Sequence, residues 1–187
     1  MSIDTSISAG QLLLAEPFML DPNFRRSVVL LCEHKNDEGT LGFILNKPLK
    51  MQVRELIADF PAIESEVYYG GPVATDTIHY LHDAGNILDE SIEVGNGIFW
   101  GGNFEKLKFL IDSQLIKEEN VRFYVGYSGW SEGQLQGEME IGSWISSNMD
   151  PNYLFNASSD QLWKKVLASM GSPYEVIAQM PNAHRLN

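Results

Sequence analysis

The densest run of hydrophobic positions lies between residues 15 and 49, where two apolar segments flank a short polar one. The first, Ser27 to His34, is apolar on both alternating faces through its middle, which is typical of a strand covered on both sides. The second, Leu41 to Asn46, has the same character. The segment between them, 35–40, contains the Asn, Asp and Gly that favour a hairpin loop. The pattern therefore predicts a central antiparallel hairpin.

The open end of this hairpin is expected to gather cationic side chains. A simple register pairs Cys32 with Phe43 and Leu30 with Leu45, so residues before the first strand lie beside those after the second. The basic residues placed there are Arg25, Arg26, Lys47 and Lys50. Such a cluster attracts phosphate or carboxylate, for which Arg offers paired donors. The commoner interpretation is that the arginines form ion pairs with Asp21 and nearby acids and only hold the turn.

Strand-like and helix-like patterns follow one another along the rest of the chain. Short apolar or alternating runs predict strands at 12–14, 65–69, 77–82, 90–94, 98–100, 121–127 and 141–145. Helical spacing predicts helices at 53–60, 104–115 and 159–170, and a short helix after the turn at 128–134. The expected fold class is α+β, with a mostly antiparallel, mixed sheet and three or four helices. One domain is expected over 1–187, loosely ordered at 1–10 and 172–187.

Composition places the chain among proteins with a substantial core. It has 187 residues, of which 44% are hydrophobic, so no disulfide or metal is needed to hold it together. Its single cysteine, Cys32, lies among aliphatic residues and is expected to be an inert core residue. The N-terminal residues lack the pattern of a secretory signal, and the apolar runs are shorter than a membrane span. A cytoplasmic location is therefore expected.

Charge argues against a protein that reads nucleic acid. The net charge is −12 and the sequence pI is near 4.6, whereas nucleic-acid binding normally needs a basic face. Between Arg54 and Lys106 there are ten acidic residues and no Lys or Arg. Metal binding is not expected either, because His79 and His82 would point to opposite faces of a strand. No cofactor is predicted.

Three stretches of the chain carry a resemblance to a known family. Residues 15–48 read A-x-P-x-x-x-D-P-x-F-x-R-S-V, then E-H, then G-x-I-x-N-K-P. The later stretches are Gly-Gly-Pro-Val at 70–73 and Gly-Tyr-Ser-Gly-Trp at 126–130, which runs on to Gln134 and Glu138. In this order they resemble the AlgH/YqgE family of bacterial proteins. The resemblance implies an AlgH-like fold. The family is largely uncharacterised and offers no catalytic residues, although the name of one member connects it to transcriptional control of alginate synthesis.

Three classes of function are compatible with these observations. The first is a regulator that binds a small ligand, such as an anion, or another protein. The second is an enzyme acting on a small anionic substrate, with Arg25 or Arg26, Lys47 and either Glu33 or His34 as its polar groups. The third is a regulator that contacts DNA directly, which the charge disfavours. A serine hydrolase is not indicated, because a nucleophile elbow needs Gly where the chain has a tryptophan, at position 130.

The glycine-bearing stretches each follow a predicted strand, where loops on a rigid scaffold often carry function. We therefore predict that Asn46, the Gly70–Gly71 turn and the Trp130 turn converge on one shallow, partly polar pocket with an arginine on its rim. The residues of this predicted site are Arg25, Arg26, Asn46, Lys47, Gly70, Gly71, Trp130 and Gln134. The commoner alternative is that these three features form no common pocket and each only stabilises the fold, as a buried amide, a tight turn and a core tryptophan.

Overall fold

The apolar runs of the chain form the strands of one sheet, and helices pack on its faces. The structure is a computed structural model that describes residues 6–181. Within those residues the strands are β1 (Gln11–Ala15), β2 (Val28–Lys35), β3 (Gly39–Ile44), β4 (Pro48–Gln52), β5 (Glu66–Tyr69), β6 (Val73–His82), β7 (Ile92–Gly95), β8 (Ile98–Trp100), β9 (Val121–Trp130) and β10 (Trp144–Asn148). The helices are α1 (Val53–Leu56), α2 (Phe104–Asp112), α3 (Gln134–Glu140), α4 (Pro151–Phe155), α5 (Leu162–Ser169) and α6 (Tyr174–Ala178).

The sheet is mixed but mostly antiparallel. Eight strands follow the order β10-β1-β2-β3-β9-β6-β8-β7, while β4 pairs with β5, and β5 also pairs with β9. The β5–β9 pairing is parallel, and the other pairings within residues 6–181 are antiparallel. The predicted α+β class with a mostly antiparallel, mixed sheet is confirmed.

The central hairpin forms as predicted, but its register differs from the predicted one. Strands β2 and β3 are antiparallel, and Leu30 lies opposite Phe43, the residue that a simple register gives to Cys32. The predicted register is wrong for two reasons. Both strands run further into the loop than expected, and a bulge between Leu31 and Glu33 shifts the pairing again.

The helices are more numerous and shorter than predicted. Three of them, α1, α4 and α6, have only four or five residues, too few for a 3.6-residue period to show in the sequence. Residues 48–52, which carry no strand prediction, form β4, and the strand predicted at 141–145 begins three residues later. Helix α6 lies in a segment for which loose order is predicted. The predictions for 1–5 and 182–187 fall outside the described residues.

The sheet is buried on both faces, as the two-sided apolar pattern of β2 predicts. On one face Leu12 and Leu30 pack with Trp163 of α5, and on the other Leu13 packs with Trp144. A third cluster lies under α2. Cys32 is buried and free, and burial raises the pKa of its thiol, which disfavours the reactive thiolate. No helix among residues 6–181 has the length and apolarity that crossing a membrane requires.

Candidate functional site

The turn before β2 is built by its own backbone and one carboxylate. The Asp21 side chain accepts a hydrogen bond from the backbone N–H of Asn23 at 2.8 Å, and its carbonyl accepts from the N–H groups of Phe24 and Arg25. Arg26 then adopts φ of +51°, in the left-handed region that non-glycine residues seldom occupy. Such a conformation costs of order 1–3 kcal/mol and persists only where the surroundings impose it.

Residues from the end of β3 impose that conformation. The Asn46 side-chain amide accepts from the N–H of Val28 at 2.9 Å and donates to the carbonyl of Arg26 at 2.9 Å. The Lys47 ammonium donates to the carbonyl of Pro22 at 3.1 Å and to that of Asn23. The two side chains therefore clamp the segment before β2, and the open end of the hairpin gathers polar groups as predicted.

Helix α5 covers this end of the hairpin from the other side. The Trp163 indole donates to the carbonyl of Ala15 at 2.9 Å, which fixes the ring. The guanidinium of Arg26 lies over that ring, 4.8 Å from its centroid, and donates through Nη2 to the carbonyl of Met180 at 2.6 Å. Its Nε is buried and has no hydrogen-bond partner among the described residues. Arg26 is thus held in place with one donor unused.

Between these elements lies a small cavity of about 170 Å³, which we call the cationic cavity. Four of the predicted site residues line it together with four from the segment that leads into α5. The lining residues are Arg25, Arg26, Asn46, Lys47, Ser159, Asp160, Trp163 and Lys164. Four of the eight are basic and one is acidic, in a chain whose net charge is −12.

The basic groups of the cavity are not neutralised by ion pairs. Among residues 6–181 the ion pairs involve Lys35, Lys106 and Lys108, and none involves a residue of the cavity. The interpretation that the arginines form ion pairs with Asp21 is therefore wrong. The Asp21 carboxylate accepts a backbone N–H, and its charge partly offsets the effect of burial on the pKa of Lys47. Burial lowers the pKa of Arg26 and of Lys47. These directions show that the charges are partly desolvated, which is the condition under which an anion binds most strongly.

The remaining polar groups of the cavity belong to the start of α5. The one carboxylate, Asp160, accepts hydrogen bonds from Ser158 and then Gln161, which lower its pKa. Gln161, at the N-cap position of α5, makes no side-chain bond to the first turn. The N-terminal amides of this eight-residue helix therefore add a partial positive charge near the basic residues.

The Gly70–Gly71 turn does not line the cavity, although the N–H of Tyr69 before it donates to the carbonyl of Lys47 at 2.8 Å, and it serves the packing of strands. A Cβ atom on Gly70 would lie 2.2 Å from the carbonyl oxygen of Gly126, and one on Gly71 would lie 2.3 Å from the backbone of Tyr127. The Gly70 carbonyl accepts hydrogen bonds from the N–H of Ile44 and from the Ser128 hydroxyl, each at 2.9 Å. Glycine is required here because backbone meets backbone where β5 passes β9.

The Trp130 turn contacts the turn before β2 but does not line the cationic cavity. Trp130 is only 6% exposed and packs against Phe24 and Trp144, with ring centroids 6.1 and 5.8 Å away. The Glu138 carboxylate accepts from both indole N–H groups, at 2.9 and 2.8 Å, and from the Gln134 amide at 3.0 Å. We call these residues the Glu138 cluster. Every polar group that we have named in it has a partner.

Comparison with known proteins now identifies the family. The model of the AlgH-like family matches residues 12–175, which include every residue of the cationic cavity and of the Glu138 cluster. The chain belongs to the AlgH-like family.

Relatives with this fold come from several bacteria. A UPF0301 protein of Chlorobaculum tepidum is 44% identical over 181 residues, covering 97% of this chain and 96% of its own length. One from Cytophaga hutchinsonii is 40% identical over 182 residues and is covered completely. The solution structure of the AlgH protein from Pseudomonas aeruginosa matches with a TM-score of 0.74 at 27% identity, over 92% of this chain and 94% of that one. A crystal structure from Corynebacterium diphtheriae, 22% identical with a TM-score of 0.75 over 94% and 93% of the two chains, shows the same fold.

Within this AlgH-like fold, half of the predicted site residues come together and half do not. Those at the cationic cavity are Arg25, Arg26, Asn46 and Lys47, and those placed elsewhere are Gly70, Gly71, Trp130 and Gln134. The residues just after Trp130 border a different cavity, of about 290 Å³, together with the β2–β3 loop. Ser159, Asp160 and Lys164 also line the cationic cavity and are not among the predicted residues. Their polar, partly basic pattern at the start of α5 was the available signal.

The enzyme hypothesis loses two of its candidate groups. Glu33 and His34 lie at the far end of β2 from Arg26, roughly 25 Å away for eight residues of extended chain. His34 is also bonded there to the Thr40 hydroxyl at 2.7 Å. Neither residue therefore acts on a ligand held in the cationic cavity. Residues 6–181 contain no group of three or more His, Cys, Asp or Glu placed to hold a metal ion.

Proposed function

We propose that this AlgH-like protein is a regulatory protein that binds a small anion, phosphate or a compact carboxylate, in the cationic cavity. The observation that carries the proposal is Arg26, whose guanidinium is fixed over Trp163 with a buried Nε that has no partner in the described part of the chain. The Nε itself is closed to solvent, so the anion is held by the partly desolvated charge of the guanidinium, which attracts it more strongly than a charge in water does. Guanidinium is also the group best shaped for such recognition.

The size and charge of the cavity support a compact ligand. Its volume of about 170 Å³ is below the roughly 300–1,000 Å³ of pockets that take drug-sized molecules. Its four basic side chains have no ion-pair partner among residues 6–181. Two of them, Arg26 and Lys47, have pKa values lowered by burial, so a neighbouring negative charge stabilises their protonated forms.

Regulation through the ligand, rather than through direct contact with DNA, fits the charge of the chain. The DNA backbone is polyanionic, so it repels a chain whose net charge is −12. The one small cluster of cations does not compensate for this repulsion. We expect fluorescence anisotropy with promoter fragments to show no submicromolar, sequence-selective binding at about 150 mM salt, because nonspecific affinities lie near 10⁻⁴–10⁻⁶ M. Tight, selective binding would contradict the proposed mode of action.

The direct test is calorimetric titration with inorganic phosphate and with citrate at constant ionic strength. We expect saturable binding of at least one of the two. Lys164→Gln removes a cavity cation that is exposed and far from the core, so we expect the affinity to fall about fivefold with the fold intact.

Lys165→Gln is the matched control. It removes the same charge from the next position of α5, where the ammonium lies 5.7 Å from the Tyr153 ring and outside the cavity. Its affinity should stay within about twofold of the unmodified chain. Absence of saturable binding, or equal losses in the two variants, would contradict the proposal.

A further inference from the structure

One edge of the sheet is left open by the chain. Strand β10 is terminal in the strand order and pairs with β1 on one side only, as far as residues 6–181 extend. The N–H of Glu16 donates to the carbonyl of Ser143 at 3.0 Å, and the register continues through Ile145 and Ser147. Because antiparallel strands alternate between bonded and non-bonded pairs, the residues between these direct their N–H and C=O groups outward. The outward-facing residues are Trp144, Ser146 and Asn148.

The other exposed edges carry features that discourage pairing, and β10 does not. Strand β7, at the opposite end, contains Glu93 and a register shift between Glu93 and Gly95. Strand β4 contains Pro48 and Lys50 and is also irregular. Charges, proline and bulges are the usual means of blocking a sheet edge. The sequence of β10, WISSN, has none of them.

The open edge forms the floor of the largest of the cavities described here, which we call the edge trough. Its volume is about 840 Å³, and all five residues of β10 line it. Met139 and Gly142, at the end of α3, form one wall. Tyr153, Met170 and Tyr174, from the α4–α6 layer, form the other. The free backbone groups therefore lie between two walls that rise from the two faces of the sheet.

We propose that the edge trough binds an extended, uncharged segment of another protein as an additional strand beside β10. The inference is independent of anion binding in the cationic cavity. Backbone hydrogen bonds supply the affinity in this mode of recognition, and pockets for alternate side chains supply the specificity. The five residues of β10 offer about 17 Å of edge, which suits a segment of five or six residues.

The two walls of the trough favour a single extended segment over a second copy of the chain as the bound partner. A recessed edge admits one extended backbone, whereas a second copy would bring its own two walls into the same space. The lining also defines the chemistry of the segment. Among the described residues that line it, Asp150 is the only charged one, and the methionine and tyrosine side chains of the walls suit apolar groups at every second position of the guest.

A random twelve-residue peptide library displayed on phage, selected against the full chain, supplies a probe. We expect enriched peptides to be uncharged with apolar residues at every second position, and the most enriched one is then synthesised. On binding, hydrogen exchange should slow at the amides of Trp144, Ser146 and Asn148. The amides of Ile145 and Ser147, which face β1, should not change.

Ser146→Pro tests the backbone directly. It removes one outward N–H and leaves the bonds to β1 in place, a position at which an edge strand tolerates proline. We expect the affinity for the peptide to fall about tenfold or more. Ser146→Ala keeps the N–H and should bind within about twofold. If the amide resonances of Leu12 and Leu14 are unchanged in Ser146→Pro, the pairing of β10 with β1 is intact. If they change, Asn148→Pro is used in place of Ser146→Pro.

Three results would each overturn the proposal. The first is a selection that enriches no peptide. The second is an enriched peptide that binds Ser146→Pro as well as it binds the unmodified chain. The third is protection of the same three amides that rises with protein concentration in the absence of peptide, because this would show that a second copy occupies the edge.

Discussion

The cationic cavity and the Glu138 cluster each contain residues of a motif stretch, 15–48 for the cavity and 126–138 for the cluster, yet their polar groups differ in whether they have partners. In the Glu138 cluster one carboxylate accepts from two indoles and an amide. In the cavity four cations have no ion pair within residues 6–181, and the Nε of Arg26 has no acceptor. A buried network in which every polar group is hydrogen-bonded stabilises one packing arrangement. A partly buried charge without a partner is instead stabilised when a group of opposite charge binds. The comparison separates a folding device from a candidate binding site.

The largest expected effect is on the Glu138 side of the comparison. Glu138→Ala leaves the indole N–H groups of Trp130 and Trp144 without their acceptor, so we expect the free energy of unfolding to fall by about 2–4 kcal/mol. Urea denaturation measures this loss. Phosphate affinity, measured where the variant is folded, should not change. A stable variant with weakened phosphate binding would reverse the roles that we assign to the two regions.

A somewhat smaller loss is expected at Gly70. Its Cβ in Gly70→Ala would overlap the Gly126 carbonyl, a backbone atom that cannot rotate away, so about 1–3 kcal/mol of stability should be lost. Thermal or urea denaturation gives the value. If this variant kept full stability and lost anion binding, the turn would belong to the ligand site, as first predicted from its glycines.

Arg26→Met is the counterpart of these variants in the cavity. Methionine keeps a flexible apolar contact with Trp163. The substitution loses the bond to the carbonyl of Met180 but also removes the buried donor that lacks a partner; because these two effects oppose each other, stability should change by less than about 1 kcal/mol. Phosphate affinity should fall about tenfold or more, because a bond from a charged donor is lost. Calorimetry and urea denaturation on the same sample separate the two effects. A large stability loss with unchanged affinity would make Arg26 a structural residue.

The smallest expected effect is on the pH dependence of stability. It involves His82, another side chain whose polar atoms have hydrogen-bond partners. Its Nε2–H donates to the carbonyl of Gly101 at 2.8 Å, and its Nδ1 accepts from the N–H of Ala84 at 3.2 Å. Burial lowers the pKa of this imidazole, so the unfolded chain binds the proton more readily than the folded one. Stability should therefore be complete above the unfolded pKa near 6.5 and decline as the pH falls below it. His82→Gln should flatten this part of the profile, and an unchanged slope would exclude the assignment.

Local pattern was enough to predict the parts of the fold that depend on neighbours in sequence. The two-sided apolar run of β2 and its hairpin with β3 are both local features, and both are present. For the same reason Arg26, Asn46 and Lys47 were correctly placed together. The register failed because a bulge is decided by packing on both faces of the strand, which alternation does not encode.

The parts that failed depend on contacts between distant segments. The Trp163 indole reaches the carbonyl of Ala15 across 148 positions, and this bond brings the start of α5 to the cavity. The Gly70 turn packs against the backbone of β9, because β5 pairs parallel to β9, and it does not line the cavity. Neither the hydrogen bond from Trp163 nor the parallel pairing of β5 with β9 leaves a periodic signal in the sequence. Of the predicted site residues, only the half that the hairpin itself assembles therefore lies together.

The most direct test of the central claim is an NMR titration of the full chain with inorganic phosphate at constant ionic strength. We predict saturable shifts of the backbone amides of Arg26, Lys47 and Lys164, which converge on the cationic cavity. The amides of Gln134 and Gly70 should stay where they are. No saturable shift, or shifts centred on Gln134 and Gly70 instead, would contradict the account.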